Sequence, residues 1–378
     1  IARGVRSIKF EGVPSVEYTP QVAQPPPVDK ARIEIYKTAL KEAWKDGVLD
    51  PSEKMMLEKL RESLNIPLEL HNKLEQELLA EGTIRKKEIF RVWGRHTYIA
   101  EELIGSGGFS EVYKGRRQKD NMLVAIKVPS GVRERKTIKE DTRTTFIREA
   151  ELWSRLRHPN IVKVYEYGDQ PFTWVCIEYM DAGSLREKMP QLNWQERMSV
   201  VFGLLSALEY AYSTQGLIHR DIKPENVLFS SGEPAIPKLT DWGAARVKDT
   251  IGQTRTLGYA APEQYIGEPQ DARTDVYQAG VVIYELLTGK LPIRVDDETI
   301  ATLSPTDRSK LATCTEYEDK ITLLTLRARP QVPTAINPAL PKKIDFVLLK
   351  ALEKRKEDRY HDVSEFKKEL EGVLRCIT

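Results

Sequence analysis

The chain has 378 residues, 40% hydrophobic and 30% charged, so it is long enough to bury a sizeable core and to hold more than one domain. Its 58 Lys and Arg residues nearly balance its 56 Asp and Glu residues, which excludes a global field that would draw nucleic acid or an anionic membrane. Three scattered cysteines without a CxxC pair favour a reducing cytoplasm over a disulfide framework or a zinc site. The longest apolar stretch, residues 200–208, falls far short of the roughly 20 residues of a transmembrane helix, so we expect no membrane segment.

The first 85 residues predict an arm followed by a separate helical module. Residues 1–28 run into a Gln-Pro-Pro-Pro stretch that favours extended polyproline geometry, and we interpret them as an arm or linker. Residues 29–85 change to helical spacing and predict a small all-α accessory module. Its first helix should bury one stripe, made of Ile33, Tyr36, Ala39, Leu40, Ala43 and Trp44.

Capping residues predict where the second and third helices of the module begin. Asp50, Pro51 and Glu53 fit an N-cap, a first helical position and a capping box, and Pro67 starts the third helix. The second helix carries Met56, Leu57 and Leu60, and the residues of the third helix expected to face inward are Leu68, Leu70, Leu74 and Leu78 or Leu79. The turn at 46–53 resembles that of tellurite-resistance-B-like helical domains. We expect this module to pack or to bind a protein partner; an ion site at Asp46 and Asp50 is the alternative.

A glycine-rich turn and a lysine lie in the strand-like region that begins near residue 91. Residues 104–112 read Ile-Gly-Ser-Gly-Gly-Phe-Ser-Glu-Val, where missing Cβ atoms let backbone N–H groups approach a phosphate. A purely steric hairpin is the alternative. Residues 124–127 form an apolar strand that ends in Lys127. Such a lysine is often a surface residue, but one strand beyond a glycine hairpin it reaches α- and β-phosphates.

The phrase His-Arg-Asp-Ile-Lys-Pro-Glu-Asn at 219–226, followed by Asp-Trp-Gly at 241–243, points to phosphoryl transfer. That reaction needs charge neutralised on the transferred group and two oxygens held in line. Asp221 is placed to accept a hydrogen bond from an incoming hydroxyl, and Lys223 to sit against the γ-phosphate. Asn226 and Asp241 offer hard oxygen ligands to magnesium.

With these motifs in this order, the chain resembles a eukaryotic-type (Hanks-type) serine/threonine protein kinase from about residue 98 to 374. The resemblance implies an α+β, bilobal fold at residues 91–376, with a strand-rich N-lobe at about 91–180 and a helical C-lobe at about 181–376. It also implies ATP and Mg²⁺ as cofactors, with Mn²⁺ as an alternative metal, and protein substrates with serine or threonine hydroxyls.

Residue roles carry over by motif. Lys127 becomes the phosphate-binding lysine and Glu149 its ion-pair partner on a helix, with Glu151 as the rival. Lys223 and Asp221 become catalytic residues, and Asn226 and Asp241 metal ligands. The nucleotide site implied by the resemblance is formed by Ile104, Gly105, Ser106, Gly107, Gly108, Val112, Ala125, Lys127, Glu178, Met180 and Leu228, with Ile177 as gatekeeper.

The resemblance also implies a scaffold and a regulated segment. Glu263 should pair with Arg359, and Asp275 should support the structure from an apolar helix. Between Asp241 and Glu263, we predict phosphorylation at Thr250 or Thr254, whereas Thr256 should stay unmodified and hydrogen-bond near the catalytic aspartate and lysine. Their phosphate should bind Arg220.

Two departures and two rivals accompany this interpretation. Trp242 replaces the family's phenylalanine and Trp153 replaces a smaller aliphatic residue, which together predict a coordinated repacking. A pseudokinase scaffold and a small-molecule phosphotransferase are the alternative functions. The first is opposed by the presence of Lys127, Glu149 and Asp221, and the second by the Ala-Pro-Glu triplet at 261–263.

Overall fold

The computed structural model describes residues 30–45, 51–83, 89–107, 110–131, 140–231, 235–242, 246–247 and 256–374. The chain divides after residue 87 into two compact units, and each is described by itself. Within the described residues, no helix has the length and apolar character to cross a bilayer.

In the part of the first unit that the structure describes, three helices surround a small apolar core. They are α1 (Lys30–Ala43), α2 (Pro51–Ser63) and α3 (Leu68–Ala80). Its core residues are Tyr36, Leu40, Ala43, Trp44, Leu57, Ile66, Leu74 and Leu78. The Tyr36 hydroxyl is satisfied within this core by His71 Nδ1 at 2.9 Å. Helix α2 begins at Pro51 as predicted, whereas Asp46 and the Asp50 cap lie outside the described residues.

One of the predicted inward residues, Leu68 on α3, is wrong, and Met56 on α2 is exposed as well. Met56 is 50% exposed and Leu68 is 60% exposed. Leu57 takes the inward position on α2, and its neighbour Met56 points about 100° away around a helix of 3.6 residues per turn. On α3 the inward stripe passes through Leu74 and Leu78, four residues apart, and the first helical residue falls outside that stripe.

The second unit begins with a strand-rich lobe. Its antiparallel sheet has the order β1-β2-β3-β4-β6-β5 among the described residues. The strands are β1 (Phe90–Trp93), β2 (Thr97–Ser106), β3 (Ser110–Arg117), β4 (Leu123–Pro129), β5 (Val164–Gly168) and β6 (Trp174–Glu178). Helix α4 (Glu140–Ser154) packs on β5. The register sets Val112 opposite Lys127 and Ala125 opposite Ile177, so the glycine turn, the lysine and the predicted gatekeeper share one region of the sheet.

A helical lobe follows, which confirms the bilobal α+β fold. Its helices are α5 (Leu185–Lys188), α6 (Trp194–Gln215), α7 (Pro262–Ile266), α8 (Ala272–Thr288), α9 (Asp297–Ala301), α10 (Pro305–Thr313), α11 (Tyr317–Arg327), α12 (Pro333–Ile336), α13 (Lys343–Ala351) and α14 (Val363–Leu374). Helix α8 is buried along nearly its whole length, and its buried residues include polar ones such as Asp275 and Gln278. The segment at 294–341 forms α9 to α12, with a small core of its own that includes Leu303, Leu311 and Leu324.

Helix α6 leads the chain to the loop that carries the catalytic phrase. Asn193 caps it by accepting the Glu196 N–H at 3.0 Å, and Gly216 ends it with a φ of +63°. Short paired strands then flank the loop on both sides. They are β7 (Leu217–Ile218) with β10 (Arg246–Val247), and β8 (Val227–Phe229) with β9 (Pro237–Leu239).

Candidate active site

The Asp221 carboxylate is the centre of a hydrogen-bonded cluster in the loop after β7. Lys223 Nζ donates to its Oδ2 at 2.8 Å, and Thr256 Oγ1 donates to its Oδ1 at 2.7 Å. Lys223 also donates to Thr256 at 3.1 Å, which closes a triangle of three side chains. The prediction that Thr256 hydrogen-bonds near this aspartate and lysine is therefore confirmed. An ionised carboxylate accepts about four hydrogen bonds, so Asp221 retains capacity for a further donor.

Asn226 is held against the same aspartate by its amide nitrogen. Its Nδ2 donates to the Asp221 carbonyl oxygen at 2.8 Å and to Oδ2 at 3.3 Å. The amide oxygen is thereby the Asn226 atom turned away from Asp221 and suited to a hard cation. The turn at Pro224–Asn226, whose proline lies in the first helical position, places this side chain.

Lys127 and Asp241 come together from opposite lobes. The Lys127 ammonium, 12% exposed at the end of β4, donates to Asp241 Oδ1. Burial works against the ionised form of Asp241, but the nearby Lys127 charge and hydrogen bond outweigh it and lower the pKa of this carboxyl. Asp241 therefore carries a negative charge near neutral pH, the state in which a carboxylate binds a metal ion.

The donor set fits a magnesium ion. Asn226 and Asp241 supply one amide oxygen and one carboxylate, and among the described residues no group of three or more His, Cys, Asp or Glu side chains forms a metal cage. Mg²⁺ characteristically binds through one or two carboxylates together with water and substrate phosphates.

Helix α4 carries the two glutamates considered as partners of Lys127. Glu151 accepts a hydrogen bond from Arg155 Nη2 at 2.5 Å, so it is engaged with its own helix. Glu149 is half-buried and also has a partner in the structure. Its ion pair with Lys127 stays a prediction.

Several of the predicted nucleotide residues lie on neighbouring strands of the sheet. Gly105 lies opposite Val112 in the glycine hairpin, and Gly107 N–H donates to the Ser110 carbonyl at 2.8 Å, while Gly108 lies outside the described residues. Ala125 is buried in the same cluster against which Met180 packs.

Other residues predicted for the nucleotide site make contacts within the protein. Both the backbone and the side chain of Glu178 are hydrogen-bonded. Its N–H donates to the Lys163 carbonyl oxygen at 2.8 Å, and its carboxylate accepts from Lys238 Nζ at 2.6 Å. The backbone of Leu228 pairs with that of Ser184 in an isolated antiparallel β-bridge. Ile104 and Ser106 lie in β2 at the mouth of the hairpin.

The backbone of the catalytic loop is fastened to α8. Asp275 accepts the N–H groups of His219 at 2.7 Å and Arg220 at 2.8 Å. Burial raises the pKa of Asp275, and these two residues oppose that effect. Arg220 has a φ of +69°, a conformation that is costly for a residue with a Cβ atom and needs support from its surroundings.

The two tryptophans noted as departures are both core residues. Trp242 is fully buried and its ring meets His219 edge-on, with centroids 4.7 Å apart. Trp153 is 2% exposed and donates its Nε1 to the Val162 carbonyl at 2.9 Å. The same apolar core holds both, so the bulky side chains are accommodated by packing.

The helical lobe also contains two groups of ion-paired side chains, described in turn. The predicted Glu263 to Arg359 pair is present, with two parallel bonds of 2.8 Å, and Thr274 also donates to Glu263 at 2.8 Å. Burial raises and Arg359 lowers the pKa of Glu263, and the lowering prevails.

The second group is absent from the sequence-based predictions. Arg186 on α5 binds Glu225 at 2.8 Å, Glu285 at 2.7 Å and the Tyr259 hydroxyl, and Tyr259 donates to Glu285 at 2.5 Å. The acidic Glu225 inside the catalytic phrase is the signal that could have revealed it.

Comparison with known proteins agrees with this geometry. Residues 98–367 match the family described as "Protein kinase domain". The chain belongs to this family. Its kinase unit is 32% identical over 300 residues to a probable serine/threonine-protein kinase of Streptomyces coelicolor, covering 75% of this chain and 40% of that protein. It is 33% identical over 298 residues to the serine/threonine-protein kinase pkn3 of Myxococcus xanthus, covering 74% and 50%.

A third relative is the serine/threonine-protein kinase PknB of Mycobacterium tuberculosis, 32% identical over 292 residues, with 73% of this chain and 42% of that protein covered. The alignments thus span about 40 to 50% of the length of these three curated relatives. The resemblance of residues 29–85 to tellurite-resistance-B-like domains stays a prediction.

Proposed function

We propose that the chain is an ATP-dependent serine/threonine protein kinase that uses magnesium. The observation that carries the proposal is the Asp221 carboxylate, hydrogen-bonded to Lys223, Thr256 and Asn226 in the loop of a protein kinase domain. In this role Asp221 accepts the proton of the attacking hydroxyl, and Lys223 neutralises charge on the transferred phosphoryl group.

The remaining roles concern the nucleotide and its metal. Lys127 holds the α- and β-phosphates, and Asn226 and Asp241 hold the cation, which supplies charge neutralisation between the phosphates. Ala125 and Leu228 enclose the base from two sides. Because the Glu178 N–H already donates to Lys163, the backbone of Met180 and the Glu178 carbonyl are the groups proposed to receive adenine.

Serine and threonine specificity is supported by Lys223, two residues after Asp221, and by the names of the bacterial relatives. The two described cysteines, Cys176 and Cys314, are free thiols, in keeping with action in the cytoplasm.

The helical module at 29–85 is proposed to bind a protein partner that modulates or localises the kinase. Deleting residues 1–85 tests that role: unaltered activity, substrate choice and partner binding would contradict it.

Activation by phosphorylation of Thr250 or Thr254 is part of the proposal, although both lie outside the described residues. A phosphate adds nearly two negative charges and three strong acceptors, and Arg220 next to Asp221 is the proposed recipient. Mass spectrometry of the autophosphorylated protein, together with the Thr250→Ala, Thr254→Ala and double variants, tests it. Full activity of the double variant would contradict it.

Radiolabel transfer tests the main proposal. The chain is incubated with γ-labelled ATP and a generic basic protein, with and without a metal chelator, and labelled amino acids are identified after acid hydrolysis. We expect chelator-sensitive label on serine and threonine. Label on a small molecule only would favour the phosphotransferase, and the absence of transfer would favour the scaffold.

A further inference from the structure

A buried glutamine on α8 holds the backbone on both sides of Asp221. The Gln278 Nε2 donates to the carbonyl oxygen of Arg220 at 3.0 Å, and its Oε1 accepts the N–H of Ile222 at 3.1 Å. Gln278 and Ile222 have no exposed surface. One side-chain amide therefore brackets the proposed catalytic residue, 56 to 58 residues away in sequence.

A side-chain amide performs this task without adding a charge. The carbonyl oxygen before Asp221 needs a donor and the N–H after it needs an acceptor, and an amide supplies both from one planar group. The opposite orientation of the Gln278 amide would set its NH₂ against the Ile222 N–H and its oxygen against the Arg220 carbonyl. The two backbone groups thus fix the orientation of the side chain and are fixed by it.

Asp275 does not duplicate this role. It accepts the N–H groups of His219 and Arg220, both of which precede Asp221. Of these two α8 residues, only Gln278 accepts the N–H of Ile222, the residue after Asp221. Without it, the backbone after Asp221 would lose this hydrogen bond to α8, and the position of the carboxylate would depend on Lys223, Thr256 and Asn226.

A second glutamine links this bracket to the end of the activation segment. Gln264, in α7, donates to the same Arg220 carbonyl at 3.0 Å, and its Oε1 accepts from Gln278 Nε2 at 3.0 Å. The Gln264 oxygen also accepts the Ala261 N–H at 2.8 Å. The catalytic loop, the segment that follows Thr256 and α8 therefore share one buried hydrogen-bond network.

We propose that Gln278 is a positioning residue for Asp221 and that, through Gln264, it couples the end of the activation segment to the catalytic loop. The proposal rests on the kinase function proposed above. It deepens that function, because the paired glutamines set the position of the general base while touching neither substrate nor nucleotide.

The test compares Gln278→Met with the wild-type chain. Methionine keeps the length and flexibility of the side chain but neither hydrogen bond. Misplacing a reacting group by a small distance costs up to about a hundredfold in rate, so we expect kcat to fall by about ten- to a hundredfold. KM for ATP and KM for the peptide should stay within about twofold, because both binding surfaces are untouched.

A matched control separates positioning from stability. Val282, one turn further along α8, is fully buried and its side chain has no hydrogen-bonding group, so Val282→Ala should lower the melting temperature and leave kcat unchanged. Hydrogen exchange in the 217–229 peptide should accelerate in Gln278→Met but not in Val282→Ala. Gln264→Met combined with Gln278→Met should lower kcat by less than the product of the single effects, because the two residues share one network.

Each outcome of these measurements either supports or overturns the positioning role of Gln278. A Gln278→Met kcat within twofold of wild type, or a fall in kcat that Val282→Ala reproduces at equal loss of melting temperature, overturns the inference. Should Gln278→Met not fold, Gln278→Asn, which retains the amide but is too short to span both groups, takes its place with the same criteria. Failure of the wild-type chain to transfer phosphate would instead refute the proposed function, so the two failures are distinguishable.

Discussion

The catalytic loop and the phosphate-binding side of the site are held in different ways. The loop around Asp221 is fixed by buried hydrogen bonds from Asp275 and Gln278, both on α8. On the opposite side, Lys127 comes from the sheet and is joined to Asp241 by an ion pair between the lobes. One arrangement is built into a single rigid core, whereas the other depends on two charges that meet across the cleft.

The difference indicates which part is preformed and which part rearranges. Because the loop is hydrogen-bonded to a buried helix, we expect these bonds to stay the same when a nucleotide binds, with the loop preformed before the substrate arrives. Lys127 and Asp241 neutralise each other in the structure, yet their proposed partners are phosphate oxygens and a cation. We expect that pair to exchange its contacts on nucleotide binding while the loop stays as it is.

The largest effect is expected for Asp221→Asn. Asparagine is nearly isosteric but cannot accept the hydroxyl proton as a carboxylate does, so kcat should fall by about 10²- to 10⁴-fold. The melting temperature should change little, because the Asp275 and Gln278 bonds go to the backbone. Steady-state kinetics with thermal denaturation checks this, and an unfolded variant would show that the loop depends on the Asp221 charge after all.

Lys127→Met should leave less than about a tenth of the wild-type turnover, because it removes the proposed phosphate contact. It also removes the charge that lowers the pKa of Asp241. Thermal denaturation should show a folded protein, since the lysine stem alone adds little to stability.

Asp241→Asn is the companion variant, and it should weaken the magnesium dependence of turnover. An unchanged magnesium titration would remove Asp241 from the metal-ligand role.

Arg359→Met tests a buried ion pair that lies outside the cleft, the pair between Arg359 and Glu263. It leaves the Glu263 carboxylate buried without its bidentate partner, which should cost about 3 to 5 kcal/mol of unfolding free energy. Denaturant titration measures the loss. A loss below about 1 kcal/mol would show that water or Thr274 satisfies Glu263 without the arginine.

Lys354 gives the smallest expected effect on turnover and a distinct effect on stability. Its Nζ is buried and has no hydrogen-bond partner among the described residues, and burial followed by the Arg359 charge lowers its pKa to about 7. The unfolded chain holds this proton up to the ordinary pKa of 10.5, so stability should rise with pH between these two values. Lys354→Met should flatten that rise and be more stable at pH 6. Denaturation of both proteins from about pH 6 to pH 10.5 tests it, and identical slopes would contradict it.

The sequence was most informative where function sits in contiguous motifs. Asp221, Lys223 and Asn226 fall within six residues, and that spacing brings them together regardless of the rest of the fold. The bracket around Asp221 was not predictable, because Gln278 is over fifty residues away and a lone glutamine in an apolar helix carries no signal. Leu68 was wrong for a local reason, since a spacing that permits two helical phases does not choose between them.

The most direct test of the account is a crystal structure of the chain with a non-hydrolysable ATP analogue and Mg²⁺. We predict that Lys127 Nζ leaves Asp241 for phosphate oxygens and that Asp241 and Asn226 oxygens contact the ion. The bonds from Asp275 and Gln278 to the catalytic loop should remain as they are. An intact Lys127 to Asp241 pair beside a bound nucleotide, or a catalytic loop detached from α8, would contradict it.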